Sequence, residues 1–173
     1  MDAKLRRAAK HLLSLCRERG LRIATAESCT GGLVAGALTE IAGASDVVER
    51  GFVVYSNAAK ESMLGVPAST LKRYGAVSAE TAVAMAAGAL KNSQADISVA
   101  ITGIAGPGGG TKQKPIGLVH FAAARRDGPS IARRRLFGKI GRGRGRVRER
   151  SVFEALELLG LVARASGPRK EQP

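Results

Sequence analysis

The sequence predicts one α/β domain built in layers, and two observations carry this prediction. Segments with the apolar alternation of strands take turns along the chain with segments of helical spacing, the order typical of a sheet covered by helices. The 173 residues are 45% apolar, while aromatic residues reach only 3%, so Ala, Val, Leu and Ile must fill the core. We expect the domain over residues 1–165 and a polar tail over residues 166–173.

Helical spacing, caps and stop signals place the helices, and short β-rich runs place the strands. The first two predicted helices run from Leu5 to Cys16, before Gly20, and from Leu33 to Ile41, before Gly43. The next three run from a Ser56 or Asn57 cap to Met63, before Gly65 and Pro67, from a Ser78 cap to about Leu90, and over Val152 to Val162. The predicted strands are Leu21–Ala26, Phe52–Tyr55, Ile97–Ile101, Ile116–Ala124 and Ile131–Phe137. The dipeptide Asp127-Gly128 is typical of the hairpin that joins the last two strands.

The net charge of +14 raises the question of nucleic acid, but the charge is unevenly spread. Its excess lies in Arg125–Arg150, where Phe137 is the only aromatic residue available for stacking on bases. Three consecutive arginines, Arg133 to Arg135, fall in a predicted strand. The composition therefore indicates loose, nonspecific polyanion binding at most, with a basic nucleic-acid-associated accessory protein as an alternative function.

Other function classes receive little support from the composition. No apolar run approaches the ~20 residues that a membrane helix needs, and the charged N-terminus has no signal-peptide apolar region. Cys16 and Cys29 form no disulfide framework, and no Cys/His cluster has zinc spacing. We expect a cytoplasmic protein with no membrane association and no metal.

The first candidate for chemistry is the Glu27–Gly32 turn, between a predicted strand and a predicted helix. Ligands bind at such turns in α/β proteins, because the carboxyl ends of the strands meet there. Gly31 and Gly32 let backbone N–H groups approach a ligand, and the helix start favours a phosphate, a carboxylate or an oxyanion. The alternative is that Ser28 or Thr30 only caps the helix.

A second segment, Tyr55-Ser56-Asn57-Ala58-Ala59-Lys60, also leads from a strand end into a helix. A desolvated lysine can serve as the base that a serine nucleophile needs, provided that its pKa is lowered. Tyr55 and Lys60 are placed to converge on the first turn. The alternative for Lys60 is an exposed helix lysine.

The third segment runs from Thr102 to Lys112, in a loop rich in glycine and proline over Gly103–Pro115, but its spacing does not match a nucleotide P-loop. We interpret it as a substrate loop that uses its backbone, with a plain flexible connection as the alternative.

Other catalytic groups are weaker candidates. Cys29 adjoins Ser28 and is intrinsically the stronger nucleophile, but a thiolate enzyme needs a nearby histidine. His11 lies in the first predicted helix, and His120 lies inside a strand pattern, which favours a structural role. Glu27 and Asp46 are an alternative carboxylate pair, without other signs of a sugar or metal site.

Together these segments resemble the CinA C-terminal domain family over about Ala8 to Leu161. The resemblance rests on TAESCTGGLVAGALTEIAGASDVVERGFVVYSNAAKESMLGV, YGAVSAETAVAMAAGAL, ADISVAITGIAGPGGGTKQKPIGLVHFA and VRERSVFEALELL. The combination of ESCTGG, YSN–K and TGIAGPGGG is highly specific. One stretch departs from the family: where members often carry Gly-Asp-Arg, this chain reads Arg142-Gly143-Arg144, so the acid is missing while Arg144 aligns with the arginine.

Stand-alone members of that family are nicotinamide-nucleotide amidases of the PncC type. The resemblance implies a three-layer α/β/α sandwich, with a central mixed sheet of about five or six strands. It implies conversion of nicotinamide mononucleotide and water to nicotinate mononucleotide and ammonia, without a cofactor. Ser28 would be the nucleophile, Lys60 the general base and Tyr55 their hydrogen-bonding partner. The implied substrate-binding residues are Thr30, Gly31, Gly32, Asn57, Thr102, Gly103, Gly106 and Arg144.

Two further expectations concern assembly and charge. We expect a homo-oligomer, with a dimer as the first guess. We also expect Arg148 in the first turn of the last helix, where a nearby anion such as the substrate phosphate would offset its unfavourable interaction with the helix dipole. A catalytically silent family member that binds nucleotides is the remaining alternative function.

Overall fold

A computed structural model of the protein describes residues 2–138 and 143–165. Within them, a single five-stranded sheet lies between two layers of helices. The strands are β1 (Ile23–Glu27), β2 (Val48–Val53), β3 (Ile97–Gly103), β4 (Leu118–Arg125) and β5 (Ser130–Leu136). The helices are α1 (Ala3–Glu18), α2 (Leu33–Thr39), α3 (Asn57–Leu64), α4 (Ala68–Tyr74), α5 (Ala79–Lys91) and α6 (Arg144–Arg164).

The sheet is mixed, with the strand order β2-β1-β3-β4-β5. β1 runs parallel to both β2 and β3, whereas β4 and β5 continue the sheet as antiparallel strands. At the last position of β1, Glu27 pairs with Val53 on one side and with Ile101 on the other. The carboxyl ends of the three parallel strands therefore meet at one edge, where ligands bind in such sheets.

The two sides of the sheet are packed with side chains of different size. Ile97, Val99 and Ile101 of β3 belong to the core under α1, α2 and α6. On the opposite side, small residues such as Ala100 and Ala122 face α5, whose own buried residues include three alanines and a glycine. This alternation confirms the predicted three-layer sandwich and explains how a chain with few aromatic residues fills its core.

Most predicted elements are confirmed, and their helix caps account for the success. The Ser56 hydroxyl accepts the Ala59 N–H at 3.0 Å, and the Ser78 hydroxyl accepts the Thr81 N–H at 3.1 Å. Three elements differ from the sequence prediction, and one of them is α6, which begins at Arg144 rather than near Val152. β2 begins and ends earlier than Phe52–Tyr55, because its polar first half lies on an exposed edge. Helix α4 was missed, since Pro67 begins a new helix rather than only ending one.

The arginine-rich segment is largely engaged in structural contacts. Arg125 donates to carbonyl oxygens at the end of α6, and Arg126 donates to carbonyl oxygens at and after the end of α5. Arg133 and Arg135 both form ion pairs with Glu154 of α6, whose side chain is only 10% exposed. Polyanion binding stays a prediction.

The remaining expectations about this segment have mixed outcomes. The expectation for Arg148 is wrong, because α6 begins at Arg144 and places Arg148 beyond the first turn. The predicted tail, residues 166–173, and Arg142 of the departure from the family pattern lie outside the described residues. No helix in the described ranges is both long and apolar enough to cross a membrane.

Candidate active site

A cavity of about 260 Å³ opens where β1, β2 and β3 end. Its walls come from the turn after β1, the segment between β2 and α3, the loop after β3 and the first residue of α6. Seven residues that the sequence singled out line it together, namely Ser28, Tyr55, Lys60, Thr102, Gly103, Gly106 and Arg144. The three segments identified from the sequence therefore converge on one site.

Ser28 and Lys60 form the chemical centre of this cavity. The Lys60 Nζ lies 3.2 Å from the Ser28 Oγ. It also donates to the backbone oxygens of Val54, at 2.8 Å, and Tyr55, at 3.3 Å. Lys60 is 1% exposed and makes no ion pair among the described residues. The side chain is thus a buried amine aimed at a hydroxyl, not an exposed helix lysine.

Burial sets the protonation of this amine. The residues packed around Lys60 remove water from its amine, and the described residues supply no acid in return. Burial therefore lowers the pKa of Lys60 below its ordinary value of 10.5, and the neighbouring Cys29 opposes this shift. A lowered pKa favours the neutral amine, the form that can accept a proton from a serine hydroxyl. The environment of Lys60 therefore suits a general base.

The alternative nucleophile, Cys29, has the opposite environment. Burial raises the pKa of the Cys29 thiol to about 11, so little thiolate forms near neutral pH. The histidines do not assist it, since His11 faces Arg164 on another surface and His120 lies within β4. These observations favour the serine over the cysteine.

Glu27 has a role that the sequence did not reveal. Its carboxylate is fully buried and accepts the N–H groups of Gly32, Val34 and Ala35 at 2.9 to 3.1 Å. These N–H groups lie at the start of α2, where the sequence predicts a ligand site, and Glu27 already occupies them. Contact of Gly31 and Gly32 with a ligand stays a prediction. Neither Ser28 nor Thr30 caps α2, because Glu27 satisfies the helix start instead. Asp46, the other half of the suggested carboxylate pair, binds Arg17 at 2.6 Å.

Tyr55 and Arg144 meet at the mouth of the cavity. The Tyr55 side chain is 60% exposed, and its hydroxyl accepts a hydrogen bond from Arg144 Nη2 at 3.1 Å. The other terminal nitrogen of Arg144 donates to the Gly106 oxygen at 2.9 Å. Tyr55 thus contacts Lys60 through its backbone oxygen, while its hydroxyl points to the arginine rather than to the Ser28–Lys60 pair.

The loop after β3 needs its glycines for packing. A Cβ at Gly103 would lie 2.7 Å from the Leu118 oxygen, and Gly106 has a φ of +82° with Ile116 directly against it. Thr102 is buried and donates to the Ala76 oxygen at 2.6 Å. These residues hold a glycine-rich wall in place beside Ser28.

Four of the predicted substrate-binding residues are not among those lining the cavity: Thr30, Gly31, Gly32 and Asn57. Thr30 is fully buried, and Gly31 and Gly32 have φ values of +60° and +92°, which only glycine adopts readily. Asn57 is the exposed first residue of α3. The three turn residues shape the nucleophile turn rather than the cavity wall.

A larger cavity, of about 650 Å³, lies between α1 and α6. The described residues that line it are apolar residues, arginines, glutamates and His11, with no serine, cysteine or lysine among them. The smaller cavity is therefore the candidate active site, because a nucleophile and a base are in contact there.

Comparison with known proteins gives the family. The family model described as the CinA C-terminal domain matches residues 5–162. The chain belongs to the CinA C-terminal domain family. This confirms the resemblance drawn from the ESCTGG, YSN–K and TGIAGPGGG motifs.

Relatives within the CinA C-terminal domain family differ in length. The nicotinamide-nucleotide amidohydrolase PncC of Escherichia coli K12 is 47% identical over 91% of this chain and 94% of its own length. A putative competence-damage inducible protein of Caldicellulosiruptor bescii is 48% identical over 86% of this chain, and a CinA-like protein of Anaeromyxobacter dehalogenans is 51% identical over 84%. The chain spans only 35% of the length of each of these two relatives.

Solved structures of the family share the fold. The competence/damage inducible protein CihA of Agrobacterium tumefaciens superposes with a TM-score of 0.91, at 50% identity, over 94% of this chain and 97% of that one. A competence damage-inducible protein A of Klebsiella pneumoniae gives a TM-score of 0.87 at 34% identity, over 94% of this chain and 99% of that one.

Proposed function

We propose that the protein is a serine amidohydrolase that converts nicotinamide mononucleotide and water to nicotinate mononucleotide and ammonia. The observation that carries this proposal is the 3.2 Å contact between the Ser28 hydroxyl and the buried, acid-free amine of Lys60. The name of the Escherichia coli relative, which matches nearly end to end, supplies the substrate.

In the acylation half of the reaction, the neutral amine of Lys60 takes the proton of Ser28 as the hydroxyl oxygen attacks the carboxamide carbon. The resulting tetrahedral intermediate carries its negative charge on the former carbonyl oxygen. Lys60, now an ammonium, gives its proton to the amide nitrogen, so that ammonia leaves and an ester to Ser28 remains. Water then attacks the ester while Lys60 accepts one of its protons. The bond to Ser28 breaks as Lys60 returns that proton to the Ser28 oxygen, which frees the carboxylate product and restores the enzyme.

The oxyanion needs donors that are not already in use. The N–H of Ser28 is bonded to the Ile101 oxygen, that of Gly31 to the Ser28 oxygen, and that of Gly32 to Glu27. Cys29 and the loop over residues 103–109 line the same cavity, and the Cys29 N–H has no acceptor among the described residues, so we assign the oxyanion donors to these backbone groups.

Arg144 is suited to the phosphate of the substrate. It lines the cavity mouth and makes no ion pair among the residues described, in contrast to Arg133 and Arg135. Its bonds to Gly106 and Tyr55 use two of its five donors, which leaves others for an anion. We assign the Tyr55 ring and Arg144 to substrate orientation at the entrance.

Ammonia release from nicotinamide mononucleotide tests this function. Ser28→Ala should lower kcat on the order of 10⁴-fold or more, because the covalent route is lost, while the fold stays intact. Cys29→Ala is the matched control, since it removes the adjacent nucleophile, and it should retain most of the activity. Loss of turnover in Cys29→Ala with near-normal turnover in Ser28→Ala would reassign the nucleophile.

A further inference from the structure

Arg148 reaches from α6 to the turn that carries the nucleophile, 118 residues away in sequence. Its Nη2 donates to the Thr30 oxygen at 2.9 Å, two residues beyond Ser28. The same nitrogen packs against Gly31, where an added Cβ would lie 3.5 Å from it. Arg148 does not line the cavity, so this contact is made behind the nucleophile rather than in front of it.

The partners of Arg148 differ from those of its neighbours on α6. Arg146 pairs with Glu149 at the surface, whereas Arg148 makes no ion pair within the part of the chain that the structure describes. Its Nε is buried and has no hydrogen-bond partner there. A half-buried guanidinium without an acid is costly, so its place at the nucleophile turn calls for a function.

The turn itself is anchored on two sides. Glu27 holds the N–H groups of Gly32, Val34 and Ala35 from the strand side. The Thr30 hydroxyl is buried without a partner among the described residues, and the Thr30 oxygen receives, besides Arg148, only a longer bond of 3.4 Å from Leu33. The bond from Arg148 is therefore the side-chain contact that fixes the middle of the turn.

We infer that Arg148 is a positioning residue, which sets the distance and direction of the Ser28 hydroxyl relative to Lys60 by holding the Thr30 oxygen. The inference rests on the proposed function for its effect on turnover, but the placement of Ser28 can be measured without it. Small displacements of a reacting group cost rate rather than substrate affinity, and about 1 Å can cost on the order of 100-fold.

The test compares Arg148→Met with Arg146→Met, a matched control that removes an exposed arginine from the same helix. Two quantities are measured: kcat and KM for nicotinamide mononucleotide, and the rate constant for labelling of Ser28 by a fluorophosphonate probe. Arg148→Met should lower both kcat and the labelling rate by about 10- to 100-fold, with KM within about twofold of wild type. Arg146→Met should change neither.

A conservative variant separates positioning from plain stabilisation. Arg148→Lys keeps a donor for the Thr30 oxygen and should recover a large part of the labelling rate lost in Arg148→Met. If Arg148→Met does not fold, Arg148→Gln takes its place, and it too should lower kcat while leaving KM nearly unchanged.

Three outcomes overturn the inference: a wild-type labelling rate in Arg148→Met, a loss confined to KM, or an equal loss in Arg146→Met. The labelling rate also separates this inference from the proposed function. If wild-type protein releases no ammonia yet Ser28 is labelled and the Arg148 variants label more slowly, the function fails and the positioning role stands.

Discussion

Glu27 and Lys60 are both fully buried ionisable side chains next to the nucleophile, and the difference between their surroundings locates the chemistry. Glu27 accepts three backbone N–H groups, so its charge is matched by the start of a helix. Lys60 has two backbone oxygens and a hydroxyl around it, without an acid among the described residues. Glu27, whose charge is compensated by the helix start, builds the site, while Lys60, which has hydrogen-bond acceptors but no acid among the described residues, is left reactive.

The largest expected effect comes from removing the amine of Lys60. Lys60→Met should abolish ammonia release, with kcat down on the order of 10³-fold or more, because no other base contacts Ser28. The same change should leave the free energy of unfolding unaltered or raise it by about 1 kcal/mol, since a buried amine is replaced by an apolar chain of similar length. Lys60→Arg is the control for charge, and it should stay inactive because a guanidinium cannot act as a base.

Activity and chemical denaturation, measured on the same preparations, check that Lys60→Met loses turnover without losing stability. Substantial turnover in Lys60→Arg would reduce Lys60 to an electrostatic role. A large loss of stability in Lys60→Met would show that the amine is a structural group like Glu27.

The reverse pattern is expected at Glu27. Glu27→Gln keeps the size of the side chain but turns an amide group toward N–H donors, and it should lower the free energy of unfolding by about 2 kcal/mol. Activity should fall only about tenfold, through displacement of the turn rather than loss of a reacting group. Denaturation curves measure the loss of stability, and kcat measured on folded protein gives the loss of activity. Complete inactivity of a stable Glu27→Gln would give the carboxylate a direct part in the reaction.

Sequence reasoning found the reactive groups but not their supports. Ser28 and Lys60 stood out because residue type and strand-end position together indicate chemistry, and Arg144 stood out because it aligns with an arginine of the family pattern. The sequence offered Glu27 as half of a carboxylate pair and Arg148 as a charge near an anion. Their supporting roles were missed, because their partners are backbone atoms, and sequence does not show which backbone groups need a partner.

The fold shows the same division. The helix beginning after Ser78 was predicted from a local cap, whereas β2 was misplaced because edge strands carry no continuous apolar pattern. Local signals were readable from the chain alone, and features set by tertiary packing were not.

A third buried charge extends the comparison with a smaller effect. Burial would raise the pKa of Glu154, but hydrogen bonds from Arg135 and Arg133 outweigh it and hold the pKa below its ordinary value. The double change Arg133→Gln and Arg135→Gln should lower the free energy of unfolding by about 1–2 kcal/mol, because both arginines are partly exposed to solvent. The loss should shrink as the pH falls through the lowered pKa of Glu154, since the ion pairs are then lost in wild type too.

Thermal or chemical unfolding at several pH values measures this effect, with Arg134→Gln as the control. Arg134 makes no ion pair in the described ranges, and its replacement should change the free energy of unfolding by less than about 0.5 kcal/mol. If the double change and the control alter the free energy of unfolding equally, the ion pairs of Glu154 do not stabilise the protein.

The central claim is that burial beside Ser28 lowers the pKa of Lys60 and so favours its neutral form, and a direct titration of that amine tests it. Lysine carrying ¹³C at Cε reports protonation by NMR, and Lys60→Met identifies the Lys60 signal by its disappearance. We predict that Lys60 titrates well below 10.5, apart from the exposed lysines, and that the ascending limb of kcat/KM follows the same pKa. A Lys60 signal that titrates with the exposed lysines, near 10.5, would contradict the account.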